Sequence, residues 1–89
     1  MNARTVILAF LAERSPGAYS ETAIAQRVNA SGLLDAPVLS PRDDLEFLGS
    51  GQVDILVRRD INPLSKEAVW YATDLGVRVW NKEGRLHVN

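Results

Sequence analysis

Two clusters of side chains could do chemistry. Arg58, Arg59 and Lys66 flank one short polar loop. Ser40, Arg42, Asp43, Asp44 and Glu46 crowd the start of one expected helix. Cations on an exposed loop suit phosphate contacts or entry into a minor groove. An arginine at the start of a helix suits a bidentate contact with guanine, and carboxylates can accept from cytosine. The three carboxylates beside Arg42, however, would face a duplex carrying about one negative charge per 1.7 Å. The loop cluster is therefore the better candidate for DNA contact, with Arg42 or Arg27 assisting. Its arginines have a plain alternative role as solvated charges that blunt an edge strand. Ile61 and Leu64 lie in the same loop. They fit either a protein-binding patch or packing within the loop.

Catalysis finds no such cluster. The chain has no cysteine, which excludes disulfides and thiolate metal sites, and its one histidine, His87, stands near the end. Asp43 and Asp44 are adjacent, and neighbouring positions on a helix point apart. They read more simply as negative charges that complement the helix N-terminus. Gly49-Ser50-Gly51 lacks the lysine of a phosphate-binding loop and reads as a helix stop. No enzyme activity, cofactor or metal is expected.

The elements that must position these residues follow from periodicity and capping. A first helix is expected over residues 3–14, where Val6 with Phe10 and Ile7 with Leu11 are i,i+4 pairs. The apolar run from Val6 to Ala12 is too short to span a bilayer, which needs about 20 residues. Glu13 and Arg14 end it without a clean cleavage site for a leader. Ser15-Pro16-Gly17 breaks the helix, and Ala18-Tyr19 fits a one-bridge strand. Ser20 caps a second helix over Glu21–Ala30. The loop over residues 32–39 is too apolar to be simply solvated. It covers the core or meets a partner.

Ser40 is expected as the cap of the third helix, with Pro41 at its first position. Leu45 and Leu48 should point inward with Phe47 beside them, and Gly49-Ser50-Gly51 ends the helix. Val53, Ile55 and Val57 alternate with polar or outward positions, which predicts a strand over residues 53–57. Val69-Trp70-Tyr71 predicts a second strand, joined to the first through an Asn-Pro turn signal within residues 60–67. Thr73 stands as the N-cap of a last helix reaching about Lys82, with Asp74 in its first turn. Ile7, Leu11, Ile24, Val28, Leu45, Leu48 and Tyr71 form the expected core. Trp70 and Trp80 read as core or dimer-interface residues.

The segment Trp70-Tyr71-Ala72-Thr73-Asp74-Leu75-Gly76 resembles the second wing strand of winged helix-turn-helix domains in bacterial regulators of the MarR and PadR type. There the order is aromatic, any residue, aliphatic, threonine, two residues, glycine, and Ala72 is a small substitute for the aliphatic. The stretch from Ser20 to Val28 resembles a positioning helix, and Leu45, Leu48, Gly51 and Val53 resemble the passage from recognition helix to wing. The resemblance spans residues 20–79. The eight-residue loop interrupts it, since a tight helix-turn-helix uses three or four residues there. It implies a compact α+β winged helix: a three-helix core, a small antiparallel β-hairpin wing and a short C-terminal helix.

Length and charge bound the function. Eighty-nine residues suit one domain, with residues 85–89 a loose tail. The hydrophobic fraction of 46% and charged fraction of 24% are those of an ordinary globular protein. A core this small leaves room for a homodimer to add to it. The formal net charge of −1 does not favour nucleic acid. The charge is uneven, though. Residues 1–57 carry four cations against seven carboxylates, and residues 58–89 carry six against four. Two readings stay open. One is a cytoplasmic, DNA-binding transcription regulator that meets duplex DNA through Arg58, Arg59 and Lys66, with Arg27, Ser40 and Arg42 nearby. The other is an interaction module that docks a protein partner through Asp43, Asp44, Glu46, Ile61 and Leu64.

Overall fold

The computed structural model describes residues 1–51 and 54–84. Val53, at the head of the expected strand, and the tail from Arg85 with His87 lie outside the described residues. Within them the chain is α+β, with four α-helices and one three-stranded antiparallel sheet. The order is α1 (Ala3–Glu13), β1 (Tyr19–Ser20), α2 (Glu21–Ala30), α3 (Arg42–Gly49), β2 (Val57–Ile61), β3 (Ala68–Ala72) and α4 (Asp74–Val79). A π-helical turn, Trp80–Gly84, continues α4. No described helix is long and apolar enough to cross a membrane.

The first helix is the centre of the molecule. Asn2 caps it by accepting from the Thr5 N–H at 2.9 Å. Every residue from Val6 to Ala12 is buried. A helix apolar on all sides must be covered on all sides. Here α2, α3, β3 and the C-terminal turn all lie against it. Ile7, Leu11, Ile24 and Leu45 are fully buried, and each such side chain contributes about 1.5–3 kcal/mol relative to exposure. Ser20 caps α2 as expected, accepting from the Ala23 N–H at 3.2 Å.

The loop over residues 32–39 covers the core through Val38, with Leu34 half-buried against it. Val38 is buried, and the Asn29 side chain holds its backbone on both sides. Asn29 Nδ2 donates to the Val38 carbonyl at 2.9 Å, and the Val38 N–H donates to Asn29 Oδ1 at 2.8 Å. An amide side chain thus supplies the bonds a strand neighbour would supply. Leu33 and Leu39 of the same loop stay exposed.

Four expectations are corrected. Ser40 does not cap α3. The helix starts one residue later, with Pro41 at the N-cap position, no side-chain cap, and the Pro41 carbonyl accepting from Leu45 N–H at 2.9 Å. Phe47 does not enter the core. It is 55% exposed, because α3 turns only Leu45 and Leu48 inward. Tyr71 is half-buried while Trp70 is 5% exposed. The pleat sends neighbours to opposite faces, and Trp70 pairs with Tyr19, whose ring meets Phe10 of α1.

The fourth correction concerns the hairpin. The ladder begins at Val57 rather than before it and runs through Ile61, so part of the expected loop is strand. The apolar alternation before Val57 is real, but its backbone groups are used elsewhere. The Leu56 N–H donates to the Leu48 carbonyl at the end of α3, and the Leu56 carbonyl accepts from the Thr73 N–H, both at 3.0 Å. Ile55 and Leu56 therefore join α3 to the start of α4 instead of pairing in the sheet.

Thr73 caps α4 as expected. Its Oγ1 accepts from the Gly76 N–H at 3.0 Å and donates to the Ile55 carbonyl at 2.7 Å. A Cβ on Gly76 would collide with the Leu56 carbonyl oxygen, so the first turn of α4 can lie on this connector only with glycine there. The threonine-to-glycine spacing thus has a geometric cause: one residue bonds the connector and the other makes room for it.

Candidate functional site

The end of the third helix and the β2–β3 hairpin share a groove that brings together Arg58 and Arg59 of one sequence cluster and Glu46 of the other. Glu46, Gly49 and Ser50 of the α3 end line it with Val57, Arg58, Arg59 and Trp70 of the sheet, enclosing about 420 Å³. The β2–β3 register pairs Arg58 with Tyr71 and Arg59 with Trp70. Successive strand residues point to opposite faces, so the two arginines serve opposite faces of the hairpin. Lys66 sits in the connecting loop with a φ of 63°, in the left-handed region that few non-glycine residues adopt. Asn62 holds that loop. Its Oδ1 accepts from the Leu64 N–H at 2.9 Å, and its backbone N–H donates to the Glu67 carbonyl at 2.9 Å.

The α3 cluster is different, because its charges are engaged. Arg42 Nε lies 3.2 and 3.3 Å from the two Glu21 carboxylate oxygens. Glu21 Oε2 also accepts from the buried Trp70 indole Nε1–H at 3.2 Å. One carboxylate therefore ties α2, α3 and β3 together. Arg4 Nε lies 3.2 Å from Asp44 Oδ1, and its guanidinium stands 3.7 Å above the Phe47 ring. Asp43 and Glu46 are exposed and pair with no cation within 4.0 Å among the described residues. The face of α3 that remains available is acidic.

Arg58, Arg59 and Lys66 are exposed, and no carboxylate lies within 4.0 Å of them among the described residues. Ser40 is exposed in the turn before α3. Arg27 is not brought to this groove. It lines another depression, with Arg14, Glu13 and Trp80. Ile61 and Leu64 are 50% and 93% exposed, so neither packs fully within the hairpin.

Sequence reasoning missed the Glu21–Arg42–Trp70 network and the Arg4–Asp44 pair. Both join residues more than 20 positions apart, which no local spacing rule reaches. Among the described residues, no three His, Cys, Asp or Glu side chains come together in a way that could hold a metal. Comparison with known proteins gives no match to a family model, a curated protein or a solved structure.

Proposed function

We propose that this chain is a winged-helix domain that contacts duplex DNA through its hairpin, as a transcription regulator does. The architecture supports the reading. Helix, short strand, two helices and a hairpin follow in the order of a winged helix, and the short strand joins the hairpin in a sheet of order β1-β3-β2. The observation that carries the functional part is electrostatic. The hairpin holds three exposed cations without carboxylate partners among the described residues, whereas Arg42 of α3 is engaged by Glu21.

Such a contact is led by phosphates. The free carboxylates Asp43 and Glu46 keep α3 from lying deep in a major groove, so base reading by this helix is weak. A gel-shift titration with random duplex at about 50 mM salt tests the proposal, since nonspecific affinity is amplified there. Binding with a steep salt dependence is expected. No shift at low salt, for the wild type and for Asp43→Asn with Glu46→Gln, would overturn it.

A second reading has its own observation. Leu64 at the hairpin tip is 93% exposed and Ile61 is 50% exposed, and the free carboxylates Asp43 and Glu46 of α3 are exposed as well. That combination suits a basic, partly apolar protein surface. It makes the chain a winged-helix interaction module, the outcome to adopt if DNA binding fails.

A further inference from the structure

The tip of the hairpin is built differently from its stem. Every backbone N–H from Ile61 to Glu67 is bonded within the hairpin itself. Asp60 Oδ1 accepts from the Ile61 N–H at 2.8 Å. Asn62 Oδ1 accepts from the Leu64 and Ser65 N–H groups at 2.9 and 3.3 Å. The Asn62 carbonyl accepts from the Lys66 N–H at 2.8 Å, and the Glu67 carbonyl accepts from the Asn62 N–H at 2.9 Å. Ser65 Oγ accepts from the Glu67 N–H at 3.3 Å. Pro63 has no N–H to satisfy. The tip therefore offers no free backbone N–H to a phosphate. It can also lose its water without leaving a buried N–H unpaired.

What the tip offers is apolar. Pro63 and Leu64 are exposed, Leu64 to 93%, on a turn fixed by those bonds. A group held in place beforehand loses little freedom on entering a partner. Charge is distributed to match. Within residues 62–67 Lys66 and Glu67 cancel, and the surplus cation comes from the stem, where Arg58 and Arg59 outnumber Asp60. A hairpin that met phosphates alone would carry its cations at the point. This one has a neutral, apolar point on a basic stem. That order suits a stem that meets phosphates and a point that meets bases. Apolar side chains used in this way enter between base steps and partly unstack them.

Energetics then select the ligand. Burying a leucine and unstacking one base step are free energies of similar size and opposite sign. On a regular duplex the two nearly cancel. Where a step is already open, as at a mismatch, the cost is removed and the gain remains. We infer, resting on the DNA reading above, that Leu64 is a wedge that enters a base step. The favoured ligand is a duplex with a weakly stacked step.

The test uses the full chain at about 50 mM salt, where nonspecific contact is strengthened. Two short duplexes of the same sequence are compared by fluorescence anisotropy, one fully paired and the other with a central mismatch. A 2-aminopurine beside the central step reports its stacking. The mismatched duplex should bind at least about fivefold more tightly, and its 2-aminopurine should brighten on binding. Leu64→Ala should weaken the mismatched complex about fivefold and the paired complex by less than about twofold, since only buried apolar area is lost. The variant should keep the wild-type salt slope, because no phosphate contact is removed. Its melting temperature should also be unchanged, the side chain being 93% exposed. Equal affinity for the two duplexes, absence of brightening, or a mismatch preference that survives in Leu64→Ala would each overturn the wedge. Each of these leaves the DNA reading standing if binding is still steep in salt. Failure to bind either duplex would overturn both.

Discussion

The third helix and the hairpin carry similar charged residues, yet the fold uses them differently. In α3, Arg42 and Asp44 are each paired with a residue from another helix, and Leu45 and Leu48 anchor the segment in the core. In the hairpin, Arg58, Arg59 and Lys66 have no carboxylate partners among the described residues, and the tip around Leu64 stands in solvent. Counting charges along a segment therefore misjudges what a partner molecule would meet. Pairing reduces the α3 cluster to its acidic remainder and leaves the hairpin three free cations against two exposed carboxylates, Asp60 and Glu67.

The largest expected effects break this comparison through stability. Leu45 is fully buried, so Leu45→Ala should cost about 2–5 kcal/mol from lost transfer energy and a residual cavity. Leu64→Ala, at a side chain 93% exposed, should stay within about 0.5 kcal/mol. Urea unfolding of both variants checks the pair. Equal losses would mean that the hairpin tip is packed and the contrast is false.

Next in size is the joint between the two regions. Thr73→Ala removes both the cap to Gly76 and the bond to Ile55, and should cost about 0.5–2 kcal/mol. Thr73→Ser keeps both bonds and should recover most of that loss. If serine melts no higher than alanine, the hydroxyl is not what holds α4 to the connector.

This joint also shows what the sequence made legible. Caps are local, so Ser20 and Thr73 could be read from a few neighbouring residues, and both cap in the structure. Apolar helix faces are also local, and Ile7, Leu11, Ile24, Val28, Leu45 and Leu48 are buried. The strand start is misread from sequence because alternation reports which face a side chain takes, while ladder membership depends on where the backbone N–H and C=O groups go. Leu56 has the pattern of a strand residue, but its backbone bonds Leu48 and Thr73. Tyr71 is misread because two adjacent aromatics cannot both face one side of a strand, and Trp70 takes the core side through its pairing with Tyr19, with its indole bonded to Glu21, 49 positions away. The same kind of distance hides the pairing of Arg42. The candidate cations are legible as residue types, and their availability is not.

DNA binding sharpens the comparison further. Removing one phosphate contact should lower the slope of log K against log[salt] by about 0.9. Arg58→Ala with Arg59→Ala should weaken binding and flatten the slope by up to about twice that amount. Asp43→Asn with Glu46→Gln should strengthen binding, since both carboxylates are exposed and have no cation within 4.0 Å among the described residues. A hairpin double variant that binds as the wild type does would move the DNA-binding surface elsewhere.

The smallest expected effect isolates Arg42. Arg42 is 61% exposed, so its pair with Glu21 is worth about 0–1 kcal/mol, and Arg42→Gln should barely change the melt. Glu21→Gln is more informative. It removes the partner charge and frees the guanidinium while leaving an amide oxygen that can still accept from the Trp70 indole. If α3 approached the duplex closely, the freed Arg42 would add one phosphate contact and steepen the salt slope by about 0.9. With Asp43 and Glu46 still exposed on the same helix, no such contact should form. The slope of Glu21→Gln should therefore match the wild type to within about 0.5. A full added phosphate contact would make Arg42 a latent DNA-binding residue and Glu21 its restraint, and the division between a basic hairpin and an acidic third helix would then depend on one salt bridge.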